Sequence, residues 1–220
     1  YELRTVTGVQ TCALPICYLR QRCYWLRNDN PGVFQRLIVS RDGNTFRIDS
    51  GKLVVGYQQY DSFRYRFGHL FHRERFSHYR LAIEYRFHGP QCAGGPDWAT
   101  RNSGVMLHSQ DPETMGLNQD FPISIEAQFL GGLGNGPRTT ANLCTPGTHV
   151  HMADTLFTQH CINSTSRTYD GDQWVRAEFL VLGDSLIQHI VEGKVVMEYT
   201  RPEIGGGRSE EHTSELQSPY

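Results

Sequence analysis

The chemistry-bearing residues crowd into 28 positions of this 220-residue chain, from Asn102 to Phe129. Two segments carry them: Asn102-Ser-Gly-Val-Met-Leu-His108 and Ser124-Ile-Glu-Ala-Gln-Phe129. Read with the two-residue period of a strand, the second sends Ile125, Ala127 and Phe129 to one face and Ser124, Glu126 and Gln128 to the other. In the first, Val105 and Leu107 share a face, opposite Asn102, Gly104, Met106 and His108. In one sheet, His108, Glu126 and Gln128 would line a common surface. Glu126 lies between apolar neighbours, where an unpaired carboxylate is costly to bury, so it must be wet, paired or metal-bound. Imidazoles and carboxylates so placed could hold a divalent ion or move a proton near neutral pH.

Further along, Thr145-Pro-Gly-Thr-His-Val-His151 puts His149 and His151 at alternate positions, on one face if the segment is extended. Ten histidines are many for this length, and one, His212, lies in a polar tail. His189, inside an apolar run, reads instead as a satisfied sheet residue. No Gly-x-x-x-x-Gly-Lys-Ser/Thr loop, Gly-x-Ser-x-Gly elbow or His-Glu-x-x-His helix is present. Ordinary glycoside hydrolysis needs two carboxylates, and only Glu126 has a convincing position.

The elements that must position these groups read as strands. The turn signals at residues 42–44 and 49–51 bracket a hairpin, 46–48 with 52–55. Residues 57–67 alternate aromatic and polar, with Phe63, Tyr65 and Phe67 on one face. Residues 79–87 alternate cleanly, with Leu81, Ile83, Tyr85 and Phe87 pointing one way. Residues 88–101 and 131–137 are glycine- and proline-rich connections. Strands follow over 174–182, 186–191 and 195–199. No helical period persists, so the expected fold is an all-β antiparallel sandwich or jelly roll in one domain.

Composition narrows the partners. The formal net charge is -2, with 21 basic and 23 acidic residues in no long blocks, which argues against a nucleic acid partner. No apolar run could span a bilayer. The oligomeric state is not legible. Thr5-Val-Thr-Gly-Val-Gln-Thr-Cys-Ala-Leu-Pro-Ile16 and Arg208-Ser-Glu-Glu-His-Thr-Ser-Glu-Leu-Gln-Ser-Pro219 resemble translated sequencing adapter. On that reading residues 1–17 and 208–220 are adapter-derived and the jelly-roll domain spans 18–207. Four cysteines then remain: Cys23, Cys92, Cys144 and Cys161. Their spacing fits no compact zinc motif, and either a Cys144–Cys161 bridge or two separate thiols is open. Asn163-Ser-Thr165 matches an N-glycosylation triplet.

Asn102-Ser-Gly-Val-Met-Leu-His108, Ser124-Ile-Glu-Ala-Gln128, Trp174-Val-Arg-Ala-Glu178 and His189-Ile-Val-Glu-Gly-Lys-Val195 resemble, in order and spacing, the 3-keto-disaccharide hydrolase family. The resemblance covers residues 46–202. The family's Asn-Ser-Gly strand matches Asn102, Ser103 and Gly104, ending near His108. Its Glu-x-Gln strand matches Glu126 and Gln128, and its tryptophan before the last hairpin matches Trp174. Glu192-Gly193 replaces the family's usual Asn-Gly turn, a mild change.

The resemblance implies a concanavalin-like jelly-roll sandwich of two antiparallel sheets, here lacking a terminal glycine-led strand after the Pro202 region. It further implies a bacterial protein that is periplasmic or secreted, although the chain carries no export signal. The implied substrate is a small carbohydrate, a 3-keto-glycoside or 3-keto-disaccharide. Cleavage would proceed by C2 proton abstraction and C1 elimination followed by hydration, or as net hydrolysis. Glu126, His108 and His149 are the expected catalytic residues. Glu126, His108, His149 and His151 are the expected ligands of a divalent metal ion, and Asn102, Gln128, Trp98 and His160 the expected substrate contacts. The rival expectation is a non-catalytic carbohydrate-binding module using Trp98, Tyr57, Tyr60 or Trp174 as stacking platforms, and a third is a structural domain.

Overall fold

A computed structural model describes residues 9–11, 16–20, 45–49, 52–65, 67–72, 75–116 and 119–205. The described residues form two antiparallel sheets packed face to face, a jelly-roll-like sandwich with only two short 3-10 turns, Asp97–Ala99 and Pro112–Thr114. The strands are β1 (Val9–Thr11), β2 (Ile16–Arg20), β3 (Phe46–Asp49), β4 (Lys52–Val55), β5 (Gly68–Leu70), β6 (His78–His88), β7 (Asn102–Leu107) and β8 (Ile125–Leu130). They continue as β9 (Asn142–Cys144), β10 (Thr148–Met152), β11 (Thr155–Phe157), β12 (Cys161–Ile162), β13 (Val175–Leu182), β14 (Leu186–Val191) and β15 (Lys194–Ile204). One sheet has the order β12-β9-β8-β7-β1-β5, the other β11-β10-β15-β14-β13-β6-β2-β4-β3.

The two-residue period decides what each strand buries. Leu81, Ile83, Tyr85 and Phe87 of β6 meet Val105 and Leu107 of β7 and Ile125, Ala127 and Phe129 of β8 in one core. Tyr85 and Phe129 stack across it with ring centroids 4.2 Å apart. The alternate residues of β6 face outward, and two form ion pairs, Arg80 with Glu178 of β13 and Arg86 with Asp172 just before β13.

Residues 57–67 depart from the alternating expectation. The described residues among them form turns and irregular segments, with Tyr57 and Phe63 buried, Phe67 half-buried and Tyr65 56% exposed. The aromatic residues satisfy one another locally, Phe63 meeting Phe67 edge-on at 5.2 Å and Tyr57 at 5.8 Å, without strand pairing. β1 and the first two residues of β2 fall within residues 1–17 and pair in the sheets, β1 between β5 and β7 and β2 between β4 and β6. The expectation of an absent terminal strand falls on residues beyond 205, outside the described residues.

Candidate functional site

Glu126 is the centre of the outer face of the six-stranded sheet. Its strand neighbours Ile125 and Ala127 lie in the core, so the pleat turns Glu126 the other way. In the row across the strands it stands between Met106 of β7 and Cys144 of β9, and Cys144 is paired in turn with Cys161 of β12. Cys144 and Cys161 are joined by a disulfide, which decides between the two readings left open by spacing. The cross-strand neighbours of Glu126 are therefore sulfur-bearing residues that offer little solvation, and Glu126 is only 7% exposed. Among the described residues it has no hydrogen-bond or ion-pair partner. Burial accordingly pushes its pKa up to about 8.

Gly104 makes the room. A Cβ there would lie 2.6 Å from Glu126 Oε1 and 2.9 Å from its Cγ, so the glutamate side chain occupies the space a β7 side chain would fill. The adjoining row carries amides. Gln128 pairs in register with Gly104 on one side and Asn142 on the other. Asn142 is buried and fixed by four bonds: its Nδ2 donates to Thr139 O and to Gln128 Oε1 at 3.3 Å, and its Oδ1 accepts from Thr139 Oγ1 and Ser164 N. That contact occupies the carbonyl end of Gln128 and leaves its NH2 as the donor end.

One residue that periodicity does not single out belongs to the same row. Through β1, His69 of β5 is in register with Gly104, His69 pairing with Gln10 and Gln10 with Gly104. His69 Nε2 lies 2.7 Å from Asp120 O, and a carbonyl only accepts, so Nε2 carries the proton. The buried Nδ1 has no partner among the described residues. Desolvation takes the His69 pKa down to about 4, so the ring is a neutral base. Phe121 closes over it edge-on at 6.0 Å, and Phe67 links Phe121 to Trp98, stacking on the indole at 5.9 Å. No motif in the short Gly68–Leu70 strand announces this, because its face is set by pairing with a distant strand.

The other expected residues disperse. His108 follows β7 in a turn with φ 47°, and its Nε2 bonds to Gly183 O at 3.1 Å. Gly183 sits between β13 and β14 of the other sheet, so this imidazole ties the two sheets at one end and does not share the Glu126 surface. His149 and His151 belong to β10 in the nine-stranded sheet. His151 Nδ1 meets Arg201 O at 3.2 Å, while His149 packs beside Gly205 with its buried Nδ1 lacking a partner among the described residues. Among the described residues no three His, Cys, Asp or Glu side chains converge as a metal site. The expected set of Glu126, His108, His149 and His151 is thus not assembled, and these residues do not fit a divalent ion as a group.

Asn102 is buried, donates from Nδ2 to Trp98 O at 3.1 Å, and keeps Oδ1 buried without a partner among the described residues. It steadies the turn that carries Trp98. His160 stands at the sheet edge beside Cys161, its carbonyl accepting from Thr145 N at 2.8 Å. Of the other stacking candidates, Tyr57 is corrected to a core residue, 5% exposed. Tyr60 is bound through its hydroxyl to Thr45, and Trp174 lies under the Arg86 guanidinium at 5.1 Å, beside the other sheet. His189 is the satisfied sheet residue expected of it: Nδ1 donates to Ala141 O at 2.8 Å and Nε2 accepts from the Tyr199 hydroxyl at 2.9 Å.

The model of the 3-keto-alpha-glucoside-1,2-lyase-like domain family matches residues 25–218. The chain belongs to that family. No curated protein and no solved structure matches it. As a 3-keto-alpha-glucoside-1,2-lyase-like domain, it carries its buried carboxyl, fixed amides and an imidazole whose Nδ1 has no partner among the described residues on the outer face of one sheet.

Proposed function

We propose that this protein cleaves 3-keto-glycosides or 3-keto-disaccharides at the outer face of the six-stranded sheet. The observation that carries the reading is Glu126, an unpartnered carboxyl held nearly dry with its pKa raised to about 8. A carbonyl at sugar C3 acidifies the C2 proton. Ionised Glu126 takes that proton, and the C–H electron pair forms a C2=C3 enediolate with its charge on the C3 oxygen. Collapse of the enediolate restores the ketone, makes a C1=C2 double bond and expels the C1 substituent. The aglycone oxygen takes a proton from the carboxylic acid, and water then adds across C1=C2.

The amide row suits the charge that develops. Gln128 turns its NH2 end outward because Asn142 engages its carbonyl, which makes it a donor for the C3 oxygen. His69 Nδ1 offers a second acceptor in the same row, for a sugar hydroxyl. Trp98 supports sugar stacking, and that side chain equally favours the second reading, a non-catalytic glycan-binding module. The Cys144–Cys161 disulfide supports an oxidising compartment, hence a periplasmic or secreted parent protein.

The test is aglycone release from a chromogenic 3-keto-glucoside between pH 5 and 9. Because the base must be ionised, kcat/KM should rise with pH and level off above about 8. Glu126→Gln should lower kcat by roughly 100-fold or more. Unchanged turnover in that variant removes Glu126 from the mechanism. No release by the folded protein, with saturable retention of an unoxidised glycan, selects the binding module.

A further inference from the structure

At the far end of the same strands, two arginines converge on one glycine. Gly131 N donates to Arg101 O at 2.9 Å, and a Cβ on Gly131 would lie 3.1 Å from Arg101 Cβ and 3.3 Å from its Cδ, so the bare glycine lets the Arg101 side chain pass. Arg138 Nη1 donates to the carbonyl of that same Gly131 at 2.6 Å. Arg101 Nη1 is anchored on Gly171 O at 2.7 Å. Both guanidiniums are thus fixed by neutral carbonyls, each with most of its five N–H donors unspent.

Neither has a carboxylate partner among the described residues. Asp170 accepts from Gly134 N through Oδ1, and Asp172 is engaged by Arg86 and His88. Burial and the charge of Arg101 bring the Arg138 pKa down to about 10, which records a half-buried cation held against a like charge. Such an arrangement is unfavourable by itself and becomes favourable when an anion lies between the two forks. It lies off the Glu126 face: Asn102 and Leu130 pair on that face, so Arg101 and Gly131, one residue along, turn to the inner side, where a Gly131 Cβ would meet core Phe87 Cδ2 at 2.8 Å. Arg138 precedes Thr139, which holds Asn142, and Arg101 precedes Asn102, the register partner of Leu130. Leu130 is four residues along β8 from Glu126, roughly 13 Å.

We propose that Arg101 and Arg138 form an oxyanion site that binds a carboxylate, sulfate or phosphate group. A neutral ligand would leave the two forks unfilled, so the ligand is an anion.

The test is calorimetric titration of the whole chain with inorganic sulfate, D-glucuronate, D-glucose 6-phosphate and D-glucose at constant ionic strength. Saturable binding of sulfate and of at least one acidic sugar is expected, with glucose weaker by about tenfold or more. The glucuronate and glucose 6-phosphate arms distinguish carboxylate from phosphate. Arg101→Gln and Arg138→Gln should each weaken the anion by about tenfold or more, and Arg101→Lys should recover part of the loss. Arg101→Gln keeps the test decisive if replacement of the more enclosed Arg138 disturbs folding. Absence of saturable sulfate binding, or equal binding by wild type and Arg101→Gln, overturns the site. Because no turnover is needed, failure here with cleavage of a neutral 3-keto-glucoside removes only the oxyanion site. Anion binding without cleavage removes only the proposed reaction.

Discussion

Glu126 depends on what Gly104 lacks. The smallest side chain at position 104 would put a carbon 2.6 Å from Glu126 Oε1 and 3.1 Å from the backbone oxygen of Ala127. The carboxylate can swing aside but the backbone cannot. Gly104→Ala is therefore expected to displace Glu126, cost roughly 1–3 kcal/mol of stability and lower kcat more than it raises KM. Steady-state kinetics beside denaturant melts would check both, and unaltered kcat with a normal melt would show that Gly104 does not set the carboxylate position. The alternation around Glu126 was legible from Ile125, Ala127 and Phe129 alone. His69 was not, because its place in the row depends on pairing between strands far apart in the chain.

At the scale of elements, β9 and β12 form the edge of the sheet beside Glu126. β12 has only two residues and pairs with β9 through Cys161 with Cys144 and Ile162 with Leu143. So short a strand gains little from its ladder, and the disulfide holds it in place. The bridge closes a loop of sequence separation 17, and in the chain-entropy model its loss costs about 3 kcal/mol. Cys144→Ser with Cys161→Ser should lower the denaturant midpoint accordingly, and added reductant should shift the wild type but not the double variant. Equal midpoints would show that the ladder holds the edge unaided. The β13–β14–β15 meander was legible from its turns. The extension of β15 to Ile204 was not, since residues 200–204 are ordered by pairing with β10.

For the whole molecule, pH acts on stability from two sides. Glu126 has a folded pKa raised from 4.5 to about 8, so its contribution is full below pH 4.5 and is lost as pH rises through 8. His189, buried and neutral, has its pKa lowered from 6.5 to about 4, so its contribution is full above pH 6.5 and is lost as pH falls through 4. Each amounts to roughly 3–5 kcal/mol over its window. Glu126→Gln should therefore be more stable than wild type by a margin that grows from pH 4.5 to 8, as expected where a functional group opposes stability. A margin independent of pH in that range would contradict the buried, unpartnered carboxyl.

The sequence by itself determined the all-β class and the strands flanking the site, because a two-residue period and turn residues are local properties of the chain, and the order of its motifs carried the family resemblance. It also turned Glu126 and Gln128 away from the core, since Ile125, Ala127 and Phe129 could face nowhere else. Only the tertiary structure decided which polar groups meet. The same alternation serves a strand in either sheet, so period alone could not separate His149 and His151 on β10 from Glu126 on β8. His108 was lost to a left-handed turn, and His69, Arg101 and Arg138 were brought in by strand register and by the approach of two side chains to a bare glycine. Those are contacts between distant segments, and no local pattern encodes them.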